Sequence, residues 1–272
     1  MSEDMTGAFK ATYAELYDRH LVPMLFAPYA PILAERAKML GPRNILEIAA
    51  GTGIATRELA QTLPAGVPIT ATDLNQPMID RARVRPGVAN ITWQQADAMK
   101  LPFPDASFDL IVCQFGVMFF QDKQASFREA SRVLRQGGTY RFAVWDAWKK
   151  MPSAPLTIAA DVVGDMLGLD PSSLVNPPYH CEETIRADLG AANFRRIDIQ
   201  RITQPAMAAS AREAAIAAVH GSLIRTAIVA VDPERLDEAT DAVERALRAK
   251  LGKGPIAVVT NALIVAAEKP LA

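Results

Sequence analysis

Apolar residues along the first half of the chain fall into short dense runs separated by stretches with helical spacing. The runs predict strands over 45–49, 68–73, 91–95, 108–114 and 139–145. Between and before them, the spacing predicts helices over 8–20, 28–40, 54–63, 76–84 and 122–135. In 28–40 the apolar positions are Ile32, Leu33, Ala37 and Leu40. The helix over 122–135 opens on Asp122, a good N-cap, and carries Phe127, Ala130 and Leu134 on one face. Gly137 and Gly138 are expected to stop it. The run "FDLIVCQF" is apolar almost throughout, as a strand covered on both faces should be. Strands alternating with helices imply an α/β fold whose parallel sheet carries helices on both sides.

The rhythm changes after Asp146. Residues 147–180 hold five prolines before a helix is expected in "CEETIRADLGAANF". A strand is expected over 195–202, helices over 210–230 and 233–250, and a last strand over 258–267. The chain reads as one domain, 1–272. Its core is 45–146, residues 1–44 form an N-terminal helical cap, and 147–180 and 204–255 are helical insertions that act as a lid. No internal repeat and no second domain boundary is visible.

Composition narrows the function classes. Half of the 272 residues are apolar, enough for a sizeable core. Lysine and arginine total 29 against 30 acidic residues, a balance that argues against nucleic acid as the main partner. Two cysteines, Cys113 and Cys181, are too few for a disulfide framework or a cysteine-rich metal site. No metal is expected. The opening "MSEDMTGAFK" lacks a basic segment followed by an apolar one, and "LVPMLFAPYAPILA" is too short and proline-rich to span a bilayer. A cytoplasmic protein without a membrane span is expected.

The candidate chemistry sits in "ILEIAAGTGIATRELA" (45–60), where Gly51 and Gly53 lie between a strand and a helix. Glycine allows both positive φ and close backbone approach to a ligand, and an ordinary strand-to-helix turn would use it equally. A phosphate-binding P-loop is excluded because "GTGIAT" has no lysine. A dinucleotide fingerprint wants a third glycine where Thr56 stands, which counts against it without closing it. A nucleoside ligand without pyrophosphate remains. Asp73, at the end of the second strand, can accept from two ribose hydroxyls, or cap the next helix. Asp97, after the third strand, can accept from a purine amine, or serve a turn. The glycine loop, Asp73 and Asp97 fall at successive strand ends of one sheet.

In combination, "ILEIAAGTG", "ATDLNQPMIDRAR", "ADAMKLPFPDASFDLIVCQF" and "FREASRVLRQGG" resemble the class I S-adenosylmethionine-dependent methyltransferases, of the type that includes the ubiquinone/menaquinone-biosynthesis enzymes. The resemblance covers the first half well and the second half through its strand pattern. It implies a Rossmann-like, seven-stranded, mostly parallel sheet with an antiparallel last strand, formed by 195–202 and 258–267 at the sheet edge. It also implies S-adenosyl-L-methionine as cofactor, S-adenosyl-L-homocysteine as product, and these site residues. Glu47 lies near the methionine amino group. The backbone of Ala49, Ala50, Gly51, Thr52 and Gly53 lines the methionine part and the ribose. Asp73 holds the ribose hydroxyls, and Leu74 and Met78 lie against the adenine. Asp97 takes the adenine amine, the Ala98 N–H its ring nitrogen, and Gln114 lies beside the methionine end. Tyr17, on a helix that some relatives fold over the cofactor, caps the methionine moiety, or forms an apolar helix face with Tyr13. Where the family usually has glycine, this chain has Ala49, a departure that does not threaten cofactor binding.

Methyl transfer from a sulfonium needs placement above all, and a general base only for a protonated acceptor. No residue is assigned as that base. His20, His180 and His220 are the only histidines, and each also fits a surface or packing role. Trp145, Asp146 and Trp148 stand at the mouth of the site or in the core, and "FGVMFF" (115–120) is an apolar wall or a packing connection. A small, rather apolar acceptor is expected. O-, N-, S- and C-methylation and the oligomeric state stay open. Two other classes also stay open: a non-catalytic binder of the same cofactor, and a nicotinamide-dependent oxidoreductase.

Overall fold

A computed structural model describes residues 13–87, 91–175 and 177–271. Residues 8–12, the first part of the expected helix 8–20, lie outside it. Tyr13–Leu16 are α-helical, and Tyr17–Phe26 continue as a π-helix that contains Pro23. The other elements in chain order are α1 (Ala30–Lys38), β1 (Ile45–Ile48), α2 (Ile54–Thr62), β2 (Ile69–Asp73), α3 (Gln76–Arg83), β3 (Ile91–Gln95), β4 (Phe108–Gln114), α4 (Lys123–Val133) and β5 (Leu134–Trp145). Then follow α5 (Pro155–Leu167), α6 (Glu182–Ala191), β6 (Arg195–Ala208), α7 (Ala211–His220), α8 (Leu223–Val231), α9 (Leu236–Leu251) and β7 (Ile256–Glu268).

The seven strands form one sheet in the order β3-β2-β1-β4-β5-β7-β6. The first five are parallel, and β7 runs antiparallel to β5. This is the Rossmann-like, mostly parallel sheet that the sequence implies. Ile45, Leu46, Ile48, Leu110, Ile111 and Val112 of the two central strands are buried, as strands sandwiched between helices require. Strand order reverses between β1 and β4. In such sheets the crevice beyond the carboxyl ends at that point is where ligands bind.

The chain divides into two compact units. The sheet-bearing unit comprises 29–146, 179–202 and 262–272. On one side of its sheet Phe127 of α4 packs on Tyr140 and Phe142 of β5, and Tyr140 on Phe194. The helix α1 packs on α2 and β4 within this unit.

The helical unit comprises 1–28, 147–178 and 203–261. Here α9 packs on α7 and α5, and the π-helix packs on α7. The expected single helix 210–230 is instead two helices bent by 69°. A Cβ at Gly221 would lie 2.9 Å from the Leu21 Cβ and 2.8 Å from the Ala217 carbonyl, so the π-helix approaches at this point. Ser222 then caps α8 by accepting from the Ile224 N–H at 3.2 Å. Among the described residues no single helix is long and apolar enough to cross a membrane.

One other expectation needs correction. The helix over 122–135 ends at Val133, because Leu134 already pairs with Phe108. Gly137 and Gly138 do not cap it. They lie inside β5, at the register shift between Phe108 and Leu110, with Gly137 at φ 75°. The proline-rich segment is helical as expected: it holds α5, with Pro155 in its first turn, where a missing N–H costs nothing.

His220, a candidate base, is fully engaged within the helical unit. The Thr240 hydroxyl donates to the Leu236 carbonyl at 2.7 Å, so it accepts from His220 Nε2–H at 2.9 Å. His220 Nδ1 therefore accepts from Arg225 Nη1 at 3.1 Å. Burial and the Arg225 charge hold this imidazole below its ordinary pKa. Its neutral form stabilises the fold. That contribution is present above the unfolded value, declines as pH falls below it, and is gone once pH is below the folded pKa. Thr240→Val leaves the Nε2–H without its acceptor and should cost about 1–3 kcal/mol in urea unfolding. An unchanged unfolding midpoint would show that the network carries no stability.

Candidate cofactor-binding site

The site is built at the carboxyl ends of β1 to β4 in the sheet-bearing unit. After β1 the chain turns sharply: Ala49, Gly51 and Gly53 all have positive φ, at 55°, 57° and 80°. The turn is tied to the sheet through Ala50 N–H, which donates to the Thr72 carbonyl at 2.8 Å. Gly53 is needed twice over. Its φ suits glycine, and a Cβ there would meet the Trp93 ring at 2.6 Å. Trp93 and Ala82 wall this side of the loop.

Asp73 organises the next strand end. It is 7% exposed, and its two oxygens accept from Gly51 N–H and Asn75 N–H, each at 2.8 Å. A carboxylate offers about four lone-pair sites, so two remain for a ligand. Burial pushes the Asp73 carboxyl up against the pull of these donors. Leu74 is 59% exposed beside it and Met78 half-buried, which supplies apolar surface for a flat base. Ala96 N–H donates to the Asp73 carbonyl at 3.0 Å, which brings the end of β3 alongside. Asp97 follows, half-buried, with Oδ1 accepting from Met99 N–H at 2.8 Å. Ala98 is buried.

Glu47 stands one strand inward, in β1, and is 1% exposed among apolar neighbours. Its Oε2 is buried without a hydrogen-bond partner among the described residues. The hydroxyls of Thr52 and Thr56 are in the same condition. Burial raises the Glu47 carboxyl from 4.5 to about 8. The Thr56 hydroxyl, close by but outside hydrogen-bond geometry, and the Arg57 guanidinium oppose this rise, while Asp73 adds to it. A carboxyl whose folded pKa lies above its unfolded value takes up a proton on folding. Stability is therefore lost as pH rises from about 4.5 to about 8. Thermal melting between pH 5 and pH 9 should show this loss, and Glu47→Gln should flatten it. Parallel curves for the two proteins would remove Glu47 as its source.

At the end of β4, Gln114 is half-buried and Phe115 adopts φ 58°, rare for so bulky a residue. Phe115 N–H donates to the Ala143 carbonyl at 3.0 Å, and its ring stacks on Trp145 at 4.0 Å. Tyr29 meets both rings edge-on. Trp145 is thus a core residue, and Phe115, Val117 and Met118 of "FGVMFF" are buried while Phe119 is exposed. Asp146 is buried and accepts from Arg201 Nε at 2.8 Å.

The structure brings Glu47, residues 49–53, Asp73, Leu74, Met78, Asp97, Ala98 and Gln114 to the same end of one sheet. Tyr17 belongs to the helical unit, where its ring lies 5.5 Å from Phe26 and 6.2 Å from Tyr13. Two contributors were not singled out from the sequence. Arg57 signals itself as a polar residue on a buried helix face: its Nη1 donates to the Thr52 carbonyl at 2.8 Å. Gly116 has no such signal, because its role depends on a residue distant in sequence. A Cβ there would lie 2.4 Å from the Ala49 Cβ and 2.8 Å from Cys113 Sγ.

Residues 46–142 match the family model described as the methyltransferase domain. Over that stretch the chain is similar to methyltransferase domains. The demethylmenaquinone methyltransferase of Deinococcus radiodurans is 39% identical over 107 residues, 39% of this chain and 44% of that protein. The ubiquinone/menaquinone biosynthesis C-methyltransferase of Idiomarina loihiensis is 29% identical over 180 residues, 59% of this chain and 69% of its own length. The match thus spans less than half of the Deinococcus protein, and the same holds for mycobacterial relatives 36% identical to this chain. Among solved structures, YcgJ of Bacillus subtilis superimposes with a TM-score of 0.58 at 20% identity, covering 89% of this chain and 98% of that one. The likeness of fold thus extends over 89% of the chain, while the family model matches residues 46–142.

Proposed function

We propose that this protein transfers the methyl group of S-adenosylmethionine to a small-molecule acceptor. The observation that carries the reading is a buried carboxyl at Glu47 whose Oε2 is unpartnered, beside Asp73, which is clamped on the glycine loop. The donor set fits the cofactor. A buried carboxyl oxygen without a partner suits an ammonium group. The spare lone pairs of Asp73 suit vicinal hydroxyls, and Leu74 and Met78 suit the face of a purine. Asp97 and the Ala98 N–H complement the purine edge, and Gln114 the methionine end.

The cofactor, when bound, supplies a methyl on a positively charged sulfur, an electrophile that needs no further activation. The chain's own part is to hold and to orient. The turn 49–53 fixes the ligand's backbone-facing side, and the interlocked ends of β1 and β4 leave little freedom there. Placement of this kind contributes up to about 7–11 kcal/mol to a bimolecular transfer. The quinone-biosynthesis names of two relatives support a small, rather apolar acceptor.

Calorimetric titration with S-adenosylhomocysteine and with NADH, followed by transfer of labelled methyl to small phenols, quinols and amines, tests the proposal. Binding of S-adenosylhomocysteine with NADH inert, and label in one acceptor class, is expected. NADH binding with S-adenosylhomocysteine inert would overturn the reading in favour of hydride transfer. Cofactor binding with no label in any acceptor would make the chain a binder without turnover.

A further inference from the structure

Glu47 sits in a setting that suits neither state of its side chain alone. It is 1% exposed, its Oε2 has no hydrogen-bond partner, and the surrounding residues of β1 are apolar. The groups facing it are few. From α2 come Arg57 and Thr56, from β2 comes Asp73, and from β4 comes Cys113. Arg57 already spends one of its donors on the Thr52 carbonyl at 2.8 Å. Asp73 is turned to the Gly51 and Asn75 N–H groups, and Cys113 is a fully buried thiol. No neighbour in this set supplies Glu47 with a full, hydrogen-bonded countercharge. A buried, unpaired carboxylate in that position costs far more than a buried carboxylic acid.

We propose that Glu47 is a proton-exchanging counter-charge: the chain holds it as the neutral acid, and an ammonium-bearing ligand displaces its proton to solvent. This rests on the reading of the site given above and adds a pH-dependent selectivity to it. The balance is simple. The O–H bond of Glu47 breaks, the proton passes to the buffer, and a carboxylate–ammonium pair remains, one positive charge having replaced another. A nucleoside lacking the amino-acid portion brings no ammonium and displaces no proton. The site therefore favours cationic amino-acid nucleosides over their truncated forms increasingly as pH rises towards 8.

The direction of the effect follows from linkage. With its carboxyl at about 8, Glu47 is about nine-tenths protonated at pH 7, so binding should release about 0.9 proton there. Below pH 8 the affinity for an ammonium ligand should fall about tenfold per pH unit.

The test is calorimetric titration at pH 7 in buffers of different ionisation enthalpy, with two probes on the wild-type chain. S-adenosylhomocysteine carries the amino group, and 5′-methylthioadenosine does not. The slope of apparent enthalpy against buffer enthalpy counts protons. A release close to one with S-adenosylhomocysteine and close to zero with 5′-methylthioadenosine supports the proposal. The truncated probe still engages Asp73, so it subtracts any proton that Asp73 contributes. Glu47→Gln should bind S-adenosylhomocysteine more weakly with no release, and the two-probe comparison decides the matter even if that variant does not fold. Equal slopes for the two probes overturn the proposal and leave the site intact. Failure of both probes to bind overturns the reading of the site, and the proposal with it.

Discussion

Asp73→Ala is expected to lower the affinity for S-adenosylhomocysteine at least 100-fold and to destabilise the ligand-free chain by about 2–4 kcal/mol. Both effects come from the same carboxylate. Its oxygens accept from the Gly51 and Asn75 N–H groups at 2.8 Å, and the residue is 7% exposed, so neither donor finds water easily once the acceptor is gone. Hydrogen bonds to a charged group contribute about 1.5–3 kcal/mol each, and an orphaned buried donor costs about 1–3 kcal/mol. The binding loss adds the missing ribose contacts, and about 1.4 kcal/mol is a factor of ten. Asp73→Asn separates the two roles. It keeps the shape and one accepting oxygen, but turns an NH2 towards either Gly51 or Asn75. It should fall between wild type and alanine in both calorimetry and thermal melting. An alanine variant that binds and melts like wild type would show that Asp73 neither shapes the loop nor meets the ligand.

How much of this was legible in the sequence depends on where each signal resides. The strands of the core were readable because parallel strands buried on both faces must be apolar throughout, and β1, β2, β3 and β4 fall within a residue of their expected spans. The glycine loop and Asp73 were readable because their chemistry is local. What failed was punctuation. Alanine periodicity runs through 210–230 without a visible break, and the break at Gly221 is set by the approach of Leu21, 200 positions away. Gly137 and Gly138 look like a helix stop because glycine serves caps and bulges equally. The positive φ of Ala49 and Phe115 has no sequence signature, since neither residue favours that region. His220 was weighed as a base, and only its partners show that both ring nitrogens are taken.

Gly116→Ala should destabilise the chain by about 1–3 kcal/mol or more and weaken cofactor binding, and a second change at Ala49 should reverse much of the loss. The new Cβ would lie 2.4 Å from the Ala49 Cβ and 2.8 Å from Cys113 Sγ, closer than any relaxed contact. Neither neighbour yields easily. Cys113 is fully buried in the central strand β4, and Ala49 begins the tied turn after β1. Something must shift at the strand ends that hold Glu47 and Gln114, so stability and binding should fall together. Ala49→Gly removes the opposing methyl and also relieves a left-handed alanine at φ 55°, worth about 1–2 kcal/mol. Part of that relief is offset by the greater freedom glycine has in the unfolded chain, about 0.4–1 kcal/mol. The single variant Ala49→Gly should therefore lie close to wild type. The double variant should recover most of what Gly116→Ala loses, a coupling of about 1 kcal/mol or more in a double-mutant cycle. Additive losses in urea unfolding would mean that the two strand ends do not bear on each other. Coupling would explain how this chain carries an alanine in a left-handed turn: the space for that methyl group is supplied by glycine across the switch point.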